Sequence, residues 1–327
     1  MPEKWAGIPP SASEKMSSYI IDCDPGHDDA VALLFAAKSL PVHGITTVFG
    51  NSSITNTTRN AIALVTAADL RIPVAKGASQ PLRGRIHRAE HVHGKSGLDG
   101  ANLPDGKFKP EKKEAHDFLI EAASNLQDLV IIAIGPLTNV AKAIEKEPRV
   151  MSRTREISIM GGSTSFGNVT ATAEFNIFAD PEAAKIVFNS GIPMRMAGLN
   201  LTSTFGISAS HVALLCESSN FIPQNIGHAL DYYLTQQSKI YTRSYAPIHD
   251  ICAVIPHTHR DMIQYQRMCV DVECKGQLTR GQTVCDQRGL LKQGSSESHQ
   301  EPNCDVAIAG RGDAIVELAI QILMDYK

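Results

Sequence analysis

The chain has 327 residues, of which 43% are hydrophobic and 20% are charged, and its formal net charge is −3. This is a globular composition, and the length allows one large core or two modest ones. A slightly acidic chain without a basic block argues against nucleic acid or an anionic membrane as a partner. No apolar stretch approaches the length of a membrane span, so we expect no membrane association either.

The N-terminal segment and the cysteines indicate the compartment. Residues 1–18 are polar and lack the apolar core of a signal peptide, so they predict a flexible tail before a single domain over 19–327. The seven cysteines are an odd number without any CxxC spacing, which favours reduced thiols over a disulfide framework or a zinc site. Reduced thiols are typical of the cytoplasm, where we expect the protein to be.

Strands and helices alternate along most of the chain. The first strand begins at Tyr19, and after the Pro25-Gly26 turn the apolar residues follow helix spacing. Further strands are predicted at 42–49, 73–76, 129–134, 156–160, 193–197 and 305–309, with β-rich segments at 267–272 and 278–285. Helices are predicted at 54–70, 115–127, 137–145, 209–217, 221–241 and 313–326, and two more begin at 181 and 248. This alternation predicts an α/β open sheet, which binds ligands beyond the carboxyl ends of its strands.

Two polar segments interrupt this pattern. Residues 77–114 form a connection longer than usual and contain HVHGKSG at 91–97, which predicts a functional loop. Residues 286–302 predict a polar loop or disordered insert, for which the sequence indicates no role.

Four acids lie on the first strand-to-helix turn, in YIIDCDPGHDDAVALL. They are Asp22, Asp24, Asp28 and Asp29. Two carboxylates about 4 Å apart repel by roughly 4 kcal/mol at an effective dielectric near 20, whereas a helix N-terminus returns only about 0.3–1 kcal/mol per acid. Helix caps with solvated acids are the alternative, but four acids after an apolar strand favour a bound hard cation, calcium or magnesium.

Other polar positions allow two interpretations each. The Ile134 carbonyl before Gly135-Pro136 could be a calcium ligand or part of an ordinary turn, and His249-Asp250 could be a site or a helix cap. An acid and two amides among aromatic residues suit a polyhydroxyl ligand, but strand-end turns and caps explain them equally well. These three are Asn168, Glu174 and Asn176. Alone, Asn51 is typical of a turn, and His91 and His93 of the surface.

Together, the motifs resemble those of the nucleoside hydrolases, which split ribonucleosides into ribose and base. The sequence contains, in family order, DCDPGHDDAVA at 22–32, ITTVFGN ending at Asn51, HVHGKSG, GPLTN, MGG, AEFNIFADPEAA and HD at 249–250. The resemblance covers nearly the whole chain. It implies a Rossmann-like, mostly parallel mixed sheet flanked by helices, and a homodimer or homotetramer.

The resemblance also implies roles for individual residues. Asp24 is expected to be a calcium ligand and the general base, and His249 the acid for the departing base. The other implied calcium ligands are Asp29, Asp250 and the main-chain oxygen of Ile134. The implied substrate contacts are Asp28 to a ribose hydroxyl, Asn51 near the metal-bound water, Asn168 and Glu174 to the 5′-hydroxyl, Asn176 to a secondary hydroxyl, Met160 beneath the sugar and His93 on the base side.

The identity of the base depends on segment 236–248, which varies within the family. Tyr241, Arg243 and Tyr245 in this segment are candidate base contacts or solvated loop residues. The single tryptophan, Trp5, lies in the predicted tail, which disfavours the branch that clamps purines between tryptophans. We expect a purine, in particular a 6-oxopurine, as the base; a broad or pyrimidine (uridine) preference is the alternative.

Two other classes of protein share some of these features but fit the motifs less well. A haloacid-dehalogenase-like phosphatase also begins with Asp-x-Asp after a strand, but PGHDD follows here and the later motifs have no place in that family. A non-catalytic nucleoside-binding protein would need neither a base nor an acid, so Asp24 and His249 argue for an enzyme.

Overall fold

The computed structural model describes residues 17–288 and 301–327. Most of the predicted tail, residues 1–16, and most of the predicted insert, residues 289–300, lie outside the described residues. The strands are β1 (Ser18–Cys23), β2 (Val42–Thr47), β3 (Val74–Lys76), β4 (Leu129–Ala133), β5 (Glu156–Met160), β6 (Met194–Ala197), β7 (Ile207–Ser208), β8 (Tyr245–Ala246), β9 (Ile263–Met268), β10 (Val270–Val272), β11 (Thr283–Cys285) and β12 (Cys304–Gly310).

Helices connect and cover these strands. They are α1 (His27–Ser39), α2 (Ile54–Ala67), α3 (Glu90–His93), α4 (Ala115–Asn125), α5 (Thr138–Lys146), α6 (Pro148–Met151), α7 (Phe175–Ala179), α8 (Pro181–Phe188), α9 (Leu199–Thr202), α10 (Ala209–Cys216), α11 (Phe221–Ile240), α12 (Ile251–Val254) and α13 (Gly312–Met324), with a 3₁₀ turn at Ile255–His257. No helix in the described part of the chain combines the length and apolarity needed to cross a membrane.

Eight strands form the main sheet in the order β3-β2-β1-β4-β5-β6-β12-β9. All neighbours run parallel except β9, which is antiparallel to β12. Two small antiparallel pairs, β10-β11 and β7-β8, lie outside this sheet. The predicted Rossmann-like, mostly parallel mixed sheet is therefore confirmed.

Both faces of the sheet are buried, which explains the uninterrupted apolar runs of its strands. On β1, Ile20 packs into the apolar layer on one face and Ile21 into the layer on the other. On β4, Ile131 and Ile132 divide between the same two layers. The period of two along each strand thus builds two helix-covered layers around a single sheet.

Some predicted elements differ from the structure. The β-rich segment 267–272 divides between β9 and β10, because β9 pairs with β12 in the main sheet while β10 pairs with β11. Of segment 278–285 only Thr283–Cys285 is a strand, and the helix expected from 248 begins at Ile251. The predicted loop 77–114 contains the short helix α3.

The strand order reverses direction between β1 and β4, since the chain moves outward through β2 and β3 before returning to β4. In open α/β sheets such a switch point leaves a crevice at the carboxyl ends of the strands, where ligands bind. The aspartate turn after β1 and the Ile134-Gly135-Pro136 turn after β4 both lie at this crevice.

Candidate active site

The aspartate turn is held by its own carboxylates. Asp29, in the first turn of α1, accepts hydrogen bonds from the backbone N–H of Asp24 (3.1 Å) and of Gly26 (3.0 Å). These bonds fold the turn back onto the helix N-terminus, where negative charge is favourable. Asp22, two residues before Asp24 and within β1, accepts from Thr46 Oγ1 (2.6 Å) and Asn139 Nδ2 (2.8 Å) and so ties β1 to β2 and α5.

Asn51, after β2, joins the two acids on which the turn depends. Its backbone N–H donates to Asp24 Oδ2 (2.6 Å), and its side-chain Nδ2 donates to Asp29 Oδ2 (2.8 Å) and to the Asp24 carbonyl (3.2 Å). Glycines make room for the Asp24 carboxylate: a Cβ at Gly50 would lie 2.1 Å from Oδ2, and one at Gly135 2.5 Å from Oδ1. Asp24 is therefore fixed between the ends of β2 and β4.

Three carboxylates converge beside Asp24. Oxygens of Asp28, Asp29 and Asp250 lie within 4.8 Å of one another, and all three residues are buried. Burial raises the pKa of Asp28 to about 8 and that of Asp29 to about 6, and burial together with the neighbouring aspartates raises the pKa of Asp250 and Asp24 well above the usual range. Such a cluster strongly favours a cation that neutralises it.

The donor set fits a hard divalent cation. Carboxylate oxygens at this spacing are typical ligands of calcium or magnesium, and Asp24 Oδ1 is buried without a hydrogen-bond partner among the described residues. Asp28 thus joins Asp29 and Asp250 in the closest group of carboxylates, whereas the resemblance to the nucleoside hydrolases implies Asp24 as their partner. The Ile134 carbonyl accepts from Asn176 Nδ2 (3.0 Å), which leaves a second lone pair for another partner.

The polar residues after β5 surround the same crevice. Glu174 caps α7 and accepts from the backbone N–H of Asn176 (2.9 Å), Gly162 (2.9 Å) and Ile177 (3.1 Å). Burial nevertheless raises the pKa of Glu174 to about 7. Asn176 Nδ2 also donates to the Met160 carbonyl (3.1 Å), so this side chain is held against the ends of both β4 and β5.

A cavity of about 450 Å³ opens above this floor, a size typical of a small-molecule site. The predicted residues that line it are Asp28, Asn51, His93, Ile134, Met160, Asn168, Glu174, Asn176, Tyr241, His249 and Asp250. Asp24 and Asp29 do not line it and lie in the floor. Asn168 and Tyr241 are exposed at the mouth.

His249 and Arg243 line the cavity together with Tyr241. His249 Nδ1 lies 2.8 Å from Thr202 Oγ1, and burial together with the Arg243 guanidinium lowers the pKa of His249 to about 3. Arg243 stacks over the Tyr241 ring at 4.2 Å and donates to Gln237 Oε1 (3.2 Å). Tyr245, by contrast, donates to the Ser203 carbonyl (2.8 Å) and does not line the cavity.

Tyr233 and His27 were not predicted for this region, and Gln237 was predicted only as part of segment 236–248. Tyr233 and Gln237 line the cavity from α11, and His27 stacks on Tyr233 with a centroid distance of 5.2 Å. The signal was the i, i+4 spacing of Tyr233, Gln237 and Tyr241, which places three hydrogen-bonding side chains on one helix face. His27 was visible inside the aspartate motif but has no partner nearby in sequence.

Comparison with known proteins finds relatives along nearly the whole chain. The family model described as inosine-uridine preferring nucleoside hydrolase matches residues 19–317. Among curated proteins, the pyrimidine-specific ribonucleoside hydrolase RihA of Salmonella typhimurium is 37% identical over 312 residues, covering 94% of this chain and 98% of the relative. RihB of Escherichia coli, also named pyrimidine-specific, is 35% identical over 275 residues, covering 83% and 88%.

Solved structures agree on the fold. A purine-preferring ribonucleoside hydrolase from Gardnerella vaginalis superposes with a TM-score of 0.86 at 26% identity, covering 94% of this chain and 98% of that one. The plant nucleoside hydrolase PpNRh1 superposes with a TM-score of 0.87 at 30% identity, covering 95% and 100%. The match over nearly the whole chain, on a fold with its polar crevice at the switch point, shows that this protein belongs to the inosine-uridine preferring nucleoside hydrolase family.

Proposed function

We propose that this ribonucleoside hydrolase depends on calcium and uses the aspartate cluster to hydrolyse the N-glycosidic bond, releasing ribose and a free base. The observation that carries the proposal is the group formed by Asp28, Asp29 and Asp250 in the floor of the cavity, beside the unpartnered Asp24 Oδ1. Acids with raised pKa values that lie together in a cleft are more typical of functional sites than of structural carboxylates.

The residues that would hold calcium are Asp24, Asp29, Asp250 and the main-chain oxygen of Ile134. Asp28 lies close enough to bind either the ion or a ribose hydroxyl. A bound calcium ion would neutralise the buried carboxylates, hold hydroxyl oxygens of the sugar and make a bound water easier to deprotonate.

Asp24 is the proposed general base. Its Oδ2 is held by the Asn51 backbone N–H at 2.6 Å, whereas Oδ1 has no partner among the described residues and can take a proton from the attacking water. The two glycines beside it fix the carboxylate, which a base needs in order to reach one particular proton. Positive charge that develops on the ribose ring is offset by the surrounding acids.

The sugar is proposed to lie over Met160, with Asn176 and Glu174 beside its hydroxyls and Asn168 closing the mouth. Asn176 Nδ2 is already used by the Ile134 and Met160 carbonyls, so its Oδ1 is the atom left to accept from a hydroxyl. Asn51 and Asp28 complete the sugar side near the metal ligands.

His249 is the proposed acid for the leaving base. At neutral pH its imidazole is uncharged, because burial and Arg243 lower its pKa to about 3. When the Thr202 hydroxyl donates to Nδ1, at 2.8 Å, the imidazole proton resides on Nε2 and can be shared with the departing base through a hydrogen bond, without leaving the ring as an anion. Tyr241 and Arg243 line the same cavity and are proposed base contacts.

For the base, we propose that pyrimidine ribonucleosides are preferred. The purine preference expected from the sequence has support in the purine-preferring structural relative at 26% identity, but the relatives at 37% and 35% identity are named pyrimidine-specific. The polar base end, with Gln237, Tyr241 and Arg243, offers the donors and acceptors that a small, carbonyl-rich ring requires.

The test is kcat/KM for uridine, cytidine, inosine, guanosine and adenosine under one condition, with metal-loaded protein. Higher values for uridine and cytidine support the proposal. Higher values for inosine and guanosine would contradict it and support the purine preference expected from the sequence. The cytoplasmic location and the homodimer or homotetramer stay predictions, and analytical ultracentrifugation of the full chain tests the latter.

A further inference from the structure

The HVHGKSG segment folds into a closed loop against the start of α1. Gly94 and Gly97 have φ values of +79° and +85°, a conformation that favours glycine. The Asp99 carboxylate accepts from the backbone N–H of Lys95 (3.2 Å) and Ser96 (3.0 Å), which closes the loop. The loop thereby brings the Asp99 main-chain carbonyl to His27.

His27 is tied to that carbonyl through one ring nitrogen. Its Nε2 lies 2.9 Å from the Asp99 carbonyl oxygen, and a carbonyl can only accept, so Nε2 carries the proton. The ring is buried and packs nearly parallel to Tyr232 and Tyr233, at centroid distances of 5.7 and 5.2 Å. A neutral imidazole has a single N–H, which leaves Nδ1 of His27 as an acceptor.

His93 meets His27 edge to edge. The two Nδ1 atoms are 3.0 Å apart, and the ring centroids are 5.2 Å apart with an interplanar angle of 20°, as expected for an in-plane hydrogen bond. Because His27 Nδ1 accepts, the proton between the rings must belong to His93 Nδ1. The reverse tautomers would place a lone pair of His27 Nε2 against the Asp99 carbonyl at 2.9 Å.

The backbone of His27 makes a further contact with His93. The backbone N–H of His27 also points towards His93 Nδ1, at 3.3 Å. If His93 Nδ1 accepted from that N–H, either its lone pair would face the His27 Nδ1 lone pair at 3.0 Å or the His27 Nε2 lone pair would face the Asp99 carbonyl at 2.9 Å. Two buried acceptors would then be unsatisfied instead of one backbone donor, which costs more.

We infer that His27 is a positioning residue that holds His93 as a hydrogen-bond acceptor towards the cavity, to receive an N–H of the nucleobase. With Nδ1 occupied by His27, Nε2 is the remaining nitrogen of a side chain that lines the cavity. His93 then cannot supply the leaving-group proton. The two cavity histidines have different roles, since His249 donates a hydrogen bond to the base and His93 accepts one from it. The choice of a nucleobase as donor rests on the proposed function, whereas the tautomer does not.

The tautomer can be measured directly on the full-length, metal-loaded protein labelled with ¹⁵N-histidine. Two-bond ¹H–¹⁵N correlation spectra distinguish a protonated Nδ1 from a protonated Nε2, and the His93 signals are assigned by their loss in His93→Asn. We expect His93 to be protonated at Nδ1. A wild-type His93 protonated at Nε2 would overturn the inference, whether or not any nucleoside is hydrolysed.

Two variants of His27 separate the hydrogen bonds from the ring. His27→Gln keeps a donor for Asp99 and an acceptor for His93, whereas His27→Phe keeps the aromatic stack and loses both. We expect Gln to preserve the His93 tautomer and the KM for uridine. In His27→Phe, we expect His93 to populate both the Nδ1-H and the Nε2-H tautomer. KM should rise by about 2- to 10-fold, the effect of one lost neutral hydrogen bond, with a smaller change in kcat.

An unchanged tautomer and KM in His27→Phe would contradict the positioning role. If His27→Phe does not fold, the wild-type spectrum and the His27→Gln variant still decide the matter. Absence of turnover in the wild type, with His93 protonated at Nδ1, would instead reject the proposed function and leave the tautomer intact.

Discussion

Removing divalent cations is expected to make the folded protein less stable as the pH rises. Without a cation, the folded state keeps its buried acids protonated, since burial raises their pKa values: that of Asp29 from 3.8 to about 6 and that of Asp28 to about 8. Between the unfolded and the folded pKa, the folded chain binds more protons than the unfolded chain. Its free energy of unfolding is therefore highest below about pH 4 and falls as the pH rises through 6 to 8.

The size of this effect follows from the shift. The change at Asp29 from 3.8 to about 6 corresponds to about 3 kcal/mol, because one pKa unit is worth about 1.4 kcal/mol. Asp22 and Glu174, whose pKa values burial raises to about 7, give a slope of the same sign. They are outside the three-carboxylate group, so the difference between metal-free and metal-loaded protein isolates the cluster.

The assay is urea unfolding at a series of pH values from 4 to 8, with chelator or with saturating calcium. The chelated protein should lose stability steeply with pH, and calcium should flatten the curve because the metal favours the ionised acids. Asp29→Asn, which cannot titrate, should flatten the chelated curve as well. A chelated protein whose stability is constant or increases with pH, or a slope that calcium leaves unchanged, would refute the reasoning.

Further predictions concern the proposed acid and base. Asp24→Asn should lower kcat by about 10²- to 10⁴-fold, the usual range for a general base, while unfolding stays cooperative; a loss of a few-fold would leave the base unidentified. His249→Ala should slow the natural nucleosides by orders of magnitude and barely affect p-nitrophenyl riboside, whose leaving group needs no proton. Equal losses on both substrates would assign His249 to the support of Asp250.

Much of the fold follows from local sequence patterns. The fully apolar run of β4 indicates a strand covered on both faces, and the punctuated ends of β1, β2, β4 and β5 place the polar residues at one edge. The two-residue strands β7 and β8 carry no periodicity and could not be predicted. The limits of β9 and β10 are set by their different partner strands, β12 and β11, and strand pairing depends on tertiary structure and not on the local sequence.

The sequence predicted many of the residues that line the cavity, but not their geometry. The sequence predicts that acids after β1 share a cation, but the first turn of α1 also brings Asp28 within 4.8 Å of Asp29 and Asp250, which no local pattern indicates. The bond between His27 and His93 joins residues 66 positions apart, so no local pattern reports it. The same holds for Tyr233 and Gln237, which reach the cavity only through the packing of α11.

The most direct test of the account is to measure both products of a ribonucleoside with metal-loaded protein, in the presence and absence of inorganic phosphate. Water as the attacking group, activated by Asp24, predicts free ribose and free base in equal amounts, at a rate that phosphate does not change and that Asp24→Asn suppresses. Formation of ribose 1-phosphate, or no ribose from any of the five nucleosides, would contradict the account.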